Sequence, residues 1–437
     1  MRYHLVTLGC PKNTVDSRRL EWLLRERGAQ PSPLKTADFV IVNTCGFIDA
    51  AKEESINAVL RLAMNKRPGQ KLLVAGCLTE LYAAQLAEEV PEIDHLFGVE
   101  AWDDIMRLID RTDAGAKTKD RRKKREPAAA APSAYLKIAD GCNARCSFCV
   151  IPRIKGRLHS TPPEEILAEA RRLTSEGARE LVLVAQDTTA YGRDLGMRDG
   201  LPALVERLAA DVPEAAWIRI MYAYPGHISR RLLQMMASTP QVCHYLDVPL
   251  QHISADVLRR MRRPHDALET RRMLERVRRA LPDIALRTTF LVGFPGETER
   301  DFAELLDFVR EVRFEHVGAF TFSPQEGTEA AQLPGQVPER VKRRRYRELM
   351  ETARRISLER NREWLGREMM VLVESAPAIS KSGERVFAGR SYRDAPEIDG
   401  LTLCTGEATP GEMLTVRVRR ALPYDLLAER VDAASTS

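Results

Sequence analysis

Three of the eight cysteines, Cys142, Cys146 and Cys149, stand in the run Asp140-Gly-Cys-Asn-Ala-Arg-Cys-Ser-Phe-Cys149, a C-x3-C-x2-C triplet. Thiols spaced this closely point to metal binding rather than to a lone nucleophile. A structural zinc ion asks for four ligands, and no fourth Cys or His is near; His159 lies ten residues past Cys149. The triplet fits a [4Fe–4S] cluster held at three corners, its fourth iron open to another molecule. Cys10, Cys45 and Cys77 are far apart in sequence, yet each adjoins a glycine (Gly9, Gly46, Gly76) at the end of an apolar run. Cys243 and Cys404 stand alone and read as small buried hydrophobes.

The elements that would position these cysteines repeat a simple pattern. Apolar, β-rich runs at residues 4–8, 39–42 and 71–75 are each followed by a helix-like stretch, at 16–27, 50–65 and 80–89. That alternation predicts a doubly wound parallel sheet. All strands of such a sheet end along one edge, so Cys10, Cys45 and Cys77 should converge there, as a second cluster with one open iron would require. Glycines beside them permit tight turns and close approach to a bulky inorganic group. A second alternation runs from residue 134 to about 366, with strands expected at 134–138, 180–185, 217–221, 245–248, 286–292 and 316–322. Six βα units make a partial barrel with its chemistry at the strand C-termini, and the triplet follows the first strand. Residues 117–133, charged and then rich in Pro and Ala, read as a linker. After residue 367, strand-like runs at 368–374, 386–390, 401–404 and 412–419 alternate with turns. They predict a small antiparallel barrel of the oligonucleotide-binding type.

The fold class expected is thus α/β throughout most of the chain, divided as 1–116, 134–366 and 367–437. At 437 residues a chain needs several cores, and with 44% hydrophobic and 30% charged residues it has a globular composition. No apolar run reaches the length of a membrane span and no secretory leader is evident, which points to the cytoplasm. The net charge of +5 is mild, and its basic runs at 117–125 and 340–347 read first as solvated surface.

The triplet resembles that of the radical S-adenosylmethionine (SAM) superfamily, in which the open iron chelates the amino and carboxylate groups of SAM. The run Thr289-Phe-Leu-Val-Gly-Phe-Pro-Gly-Glu-Thr298 resembles a late-barrel turn of the same superfamily that helps to seat SAM. Two cysteine triads together are similar to the methylthiotransferases, and the likeness covers essentially the whole chain, with a C-terminal TRAM-type barrel. It implies two [4Fe–4S] clusters held by Cys10, Cys45 and Cys77 and by Cys142, Cys146 and Cys149, with SAM as the further cofactor. It also implies an external electron donor. Leu8-Gly-Cys-Pro-Lys-Asn-Thr-Val-Asp-Ser17, Tyr245–Ser254, Arg390–Gly400 and the run from Glu326 to Pro338 resemble the branch that modifies an aspartate β-carbon in small-subunit ribosomal protein twelve. The tRNA-modifying branch has Gln-Met-Asn after its first cysteine.

Two rivals keep some of these features. One is a tRNA adenosine methylthiotransferase; the other is a non-catalytic iron–sulfur protein that binds RNA through the barrel. Gln251 and His252 are candidates for lining the SAM or substrate pocket, and Gln186 and Asp187, after the strand at 181–185, for the ribose of SAM. Arg393, Asp394, Glu397 and Asp399 form a mixed-charge loop that is expected to face a basic protein substrate. On that expectation, a chain ending near Leu365 retains its radical chemistry.

Overall fold

The computed structural model describes residues 1–113, 131–263, 266–379 and 383–431. Most of the expected linker at 117–133, with the basic run 117–125, lies outside the described residues.

The N-terminal unit is a five-stranded sheet in the order β2-β1-β3-β4-β5. Its strands are β1 (Arg2–Thr7), β2 (Gln30–Pro31), β3 (Phe39–Thr44), β4 (Lys71–Gly76) and β5 (His95–Phe97), and every pairing is parallel. Helices α1 (Pro11–Glu26), α2 (Asp49–Met64), α3 (Cys77–Glu89) and α4 (Trp102–Asp113) cover both faces. Leu20, Leu24, Ile105 and Ile109 pack on one face, and Val40, Val42, Val59 and Val74 fill the other. The strands are buried on both sides, which is why β3 reads Phe-Val-Ile-Val without alternation. The short β2 and β5 and the helix α4 escape the sequence reading.

The central unit has six parallel strands in strict chain order: β6 (Ser133–Lys137), β9 (Glu180–Val184), β10 (Trp217–Ile220), β11 (Val242–Asp247), β12 (Ala285–Val292) and β13 (His316–Thr321). A two-stranded ribbon, β7 (Ala139–Asp140) and β8 (His159–Ser160), brackets the triplet loop. Helices α5 (Ile151–Ile154), α6 (Pro163–Ser175), α7 (Gly200–Asp211), α8 (Arg230–Ser238), α9 (Ala255–Arg260), α10 (Ala267–Ala280) and α11 (Glu299–Val312) lie between the strands. The long α12 (Glu339–Arg362) follows. One large apolar cluster, including Leu183, Ile220, Leu246, Leu286 and Phe308, joins the strands to the outer helices. The arrangement is the partial barrel expected.

The C-terminal unit is a barrel of β14 (Glu368–Val373), β16 (Arg385–Arg390), β17 (Thr402–Thr405), β18 (Met413–Ala421) and β19 (Leu426–Arg430), with β15 (Ala378–Ile379) on its edge. The β14–β16 pairing closes the ring. The expectation of an antiparallel barrel needs one correction: β17 and β19 pair in parallel. Five strands in a ring cannot all alternate in direction, so closure of an odd ring forces one parallel pair.

Candidate active site

The N-terminal triad is set by strand register. Thr7, Asn43 and Ala75 lie level across β1, β3 and β4, so Cys10, Cys45 and Cys77 all fall just beyond one edge. Two positive-φ glycines let the three loops meet. Gly9 (φ +96) has no room for a side chain, because a Cβ there would lie 2.6 Å from Cys45 Cβ and 2.9 Å from its Sγ. Gly76 (φ +107) presses against the Thr44 carbonyl in the same way, at 2.6 Å. Asn13 and Asn43 tie the loops together. The Asn13 amide donates to the carbonyls of Leu8 (2.8 Å) and Thr44 (3.1 Å), and the Asn43 amide donates to the Asn13 carbonyl (3.0 Å). Cys10 caps α1 and Cys77 opens α3, placing two thiols at helix N-termini, where negative charge is favoured.

The second triad occupies the loop after β7. Gly141 (φ +71) is pressed against the Arg157 carbonyl, 2.1 Å from where its Cβ would be. The Ser147 amide donates to the Met261 carbonyl (3.1 Å) and its hydroxyl to the Arg260 carbonyl (2.7 Å), pinning the loop to the end of α9. Arg263 reaches Cys146 Sγ at 3.8 Å and lies over the Tyr224 ring.

All six thiols are free. Burial pushes Cys77 and Cys149 up to about 12 and raises Cys45 and Cys142. Left to themselves these groups stay neutral thiols, and thiolate ligation requires the compensating charge of bound metal. No three Cys, His, Asp or Glu side chains close around one common ion among the described residues. Thiolates on separate corners of a cubane stand further apart than the ligands of a single ion.

A buried ionic group joins the two halves. Lys137 Nζ contacts Asp16 Oδ1 at 2.5 Å and Asp140 Oδ2 at 3.0 Å; Lys155 Nζ contacts Asp140 Oδ2 at 2.9 Å and Asp16 Oδ2 at 3.5 Å. Burial alone would raise the Asp140 carboxyl, but the two ammonium groups hold it well below the usual range. Asp140 precedes the triplet by two residues and also accepts from the Gly141 amide (3.1 Å) and from Gln186 Nε2 (2.6 Å). Beside it, Cys77 packs with Val150 and Ile154 of the triplet loop. The sequence reading missed this quartet, although Lys137 and Asp140, three apart at the end of a strand, carried a trace of it.

Gln186, Asp187, Gln251 and His252 sort by surroundings. Gln186 braces Asp140, as above. Asp187 caps the turn at Thr188–Ala190 and meets His227 Nδ1 at 2.8 Å. Gln251 (φ +69) bridges to Phe290 through its backbone. His252 is wholly buried, its Nδ1 accepting from the Ser254 amide (3.0 Å).

The mixed-charge loop is corrected by the structure. Arg393 and Asp394 are buried, the Asp399 side chain is 2% exposed, and only Glu397 and Ile398 face solvent. The loop plugs the inner side of the partial barrel, where Ala395 packs among Tyr135, Val182, Val184 and Tyr245. Glu180 pairs there with Arg219 (2.7 Å) and with Arg390 of the C-terminal barrel (2.5 Å), all three fully buried. Asp399 accepts from the Tyr245 hydroxyl (2.7 Å) and meets Arg287 (3.3 Å). An open six-stranded barrel has polar positions inside, and these charges satisfy one another rather than a substrate.

Fold and site together define a class of protein. Residues 136–309 match the Radical SAM superfamily, residues 2–98 the Uncharacterized protein family UPF0004, and residues 365–431 the TRAM domain. The fold resembles that of the radical SAM methyltransferase TsrM from Kitasatospora setae (TM-score 0.56, 14% identity, 76% of this chain and 74% of that one). It also resembles the cobalamin-dependent enzyme OxsB (TM-score 0.51, 13% identity, 81% and 56%). Closer in sequence is the ribosomal protein uS12 methylthiotransferase RimO of Roseiflexus sp. (strain RS-1), 45% identical over 99% of this chain and 98% of the relative. The protein of the same name from Geobacter sulfurreducens is 44% identical over 97% of each. The chain belongs to the ribosomal protein uS12 methylthiotransferase family.

Proposed function

We propose that this chain is a radical SAM enzyme that methylthiolates the β-carbon of an aspartate in ribosomal protein uS12. Cys142, Cys146 and Cys149 hold one [4Fe–4S] cluster with an open iron for SAM, and Cys10, Cys45 and Cys77 hold a second. The divisions 1–116, 134–366 and 367–437 serve as sulfur carrier, radical core and TRAM barrel. The observation that carries the reading is the contact between the segments that bear the two cysteine triads, with Cys77 packed against Val150 and Ile154 and the segments locked together by Asp16, Lys137, Asp140 and Lys155. When bound, the clusters and SAM supply one-electron C–S cleavage and the methylthio sulfur. The chain's own residues perform the remaining tasks. The glycines at 9, 76 and 141 clear space for the inorganic groups, and the ionic quartet fixes their separation, the positional control that such a transfer demands. The barrel plug seals the inner side against water. An external one-electron donor must feed the triplet cluster, and the cytoplasm, where ribosomes are found, is the expected setting.

Anaerobically reconstituted protein should hold about eight irons and about eight sulfides, four of each per cluster. Changing Cys142, Cys146 and Cys149 together to Ala should remove half of each and abolish 5′-deoxyadenosine formation. The Cys10/Cys45/Cys77 triple Ala variant should keep SAM cleavage but lose methylthio transfer to uS12, read as mass gain. Modification of tRNA with no mass gain on uS12 would overturn the substrate.

A further inference from the structure

We infer that Lys12 receives the carboxylate of the target aspartate, an assignment that rests on the function proposed above. Lys12 follows Cys10 by two residues and lies in the first turn of α1, which holds no acidic residue. A cation there opposes the helix dipole, so the stability of α1 itself does not explain it. Its Nζ lies 3.5 Å from the centroid of the Tyr222 ring. No carboxylate among the described residues pairs with it, and its side chain is only half-buried. The other lysines at this edge are committed: Lys52 to Asp49 and Gln325, and Lys137 and Lys155 to Asp16 and Asp140. Arg287 is held by Asp247 and Asp399.

The seat under Lys12 is built at a conformational cost. Tyr222 adopts φ +58, a left-handed backbone that bulky residues avoid unless their surroundings impose it. Here its amide donates to Asp247 Oδ2 (3.1 Å) and its carbonyl accepts from the Thr188 amide (3.2 Å). Asp247 is fixed in turn by Arg287 at 2.9 Å. The strain presents the ring at the C-terminal end of β10, below Lys12 and beside the Cys10 loop. Aromatic contact on one face leaves ammonium N–H donors free on the other. A carboxylate accepted there lies one bond from its β-carbon, next to the sulfur-carrying triad. An asparagine or an adenine brings no charge for the ammonium to meet.

The test measures binding of reconstituted full-length protein, with SAM and without reductant, to recombinant uS12 and to uS12 whose target aspartate is asparagine. The wild-type chain should favour the aspartate form by about 10- to 100-fold, the range of a charge-assisted contact in a half-buried site. Lys12→Met and Lys12→Gln should bind both forms alike, Lys12→Arg should restore part of the preference, and Tyr222→Phe should keep it. Iron content and thermal midpoint show that each variant is intact. Retained discrimination in intact Lys12→Met and Lys12→Gln overturns the assignment while the proposed function stands. A wild-type chain that modifies tRNA, or that does not distinguish the two uS12 forms, overturns it through the substrate itself.

Discussion

Lys155, in the loop that follows the cysteine triplet, and Asp16, in α1 of the N-terminal sheet, meet at 3.5 Å with side chains 5% and 4% exposed. This contact spans the boundary between the two cysteine triads. Asp16→Ala leaves two buried ammonium groups facing Asp140, with only the half-exposed Glu100, 4.0 Å from Lys137, as a further carboxylate. Removing one partner of a buried pair costs about 3–5 kcal/mol. Urea unfolding of the variant should show a lower midpoint, together with reduced methylthio transfer.

Gly9→Ala should damage one triad and spare the other. The added methyl would meet Cys45 Cβ and Sγ at a backbone angle that alanine resists. Iron analysis should find about half the normal content, and reductive SAM cleavage should persist. Gly141→Ala, blocked by the Arg157 carbonyl, should show the converse loss.

Removal of the C-terminal barrel should unfold or loosen the radical core. Without Arg390, Glu180 keeps only Arg219 and the Ser133 hydroxyl as side-chain partners, and Tyr245 and Arg287 lose Asp399. A chain truncated after Leu365 should therefore aggregate or fail to hold the triplet cluster, contrary to the reading of the barrel as a separable recognition module. Arg390→Met should by itself lower stability by about 3–5 kcal/mol, measured by denaturant titration.

His252 makes the core acid-sensitive. Burial drives its pKa down to about 3 from the ordinary 6.5, so the folded state excludes a proton that the unfolded chain binds. Stability is complete above pH 6.5 and falls as pH drops toward 3, by at most about 1.4 kcal/mol per pH unit. His252→Gln should flatten that slope between pH 6.5 and 5 in unfolding measurements made across pH. Glu180, held at about 2 by Arg219 and Arg390 against burial, adds its own loss only below about pH 4.3.

The cysteines and the six core strands were legible because their signals are local. A glycine next to a cysteine after an apolar run needs no partner to be recognised, and buried parallel strands announce themselves as unbroken Val, Ile and Leu. The plug was misread for the opposite reason. Arg393, Asp394 and Asp399 carry charge, which places most residues at the surface, and their partners lie as far away as His316 and Tyr245. Asp16 and Lys137, 121 positions apart, gave no joint signal either. The last strand, Leu426–Arg430, was overlooked because Leu-Leu-Ala-Glu-Arg is a helix-former's composition. Pairing with β17 and β18 overrides that propensity.

The plug also sets an order of manufacture. Ser133 and Arg390, bonded through their side chains, are 257 positions apart, so at about 5–20 residues per second the second leaves the ribosome roughly 13–50 seconds after the first. All six triad cysteines have been synthesised by residue 149. During that interval the nascent chain carries every thiol it will use while the inner face of its barrel, lined by Tyr135, Val182 and Tyr245, is still uncovered. A message cut short before the last seventy or so codons would thus release a polypeptide with all six triad thiols and no plug over the inner face of its barrel.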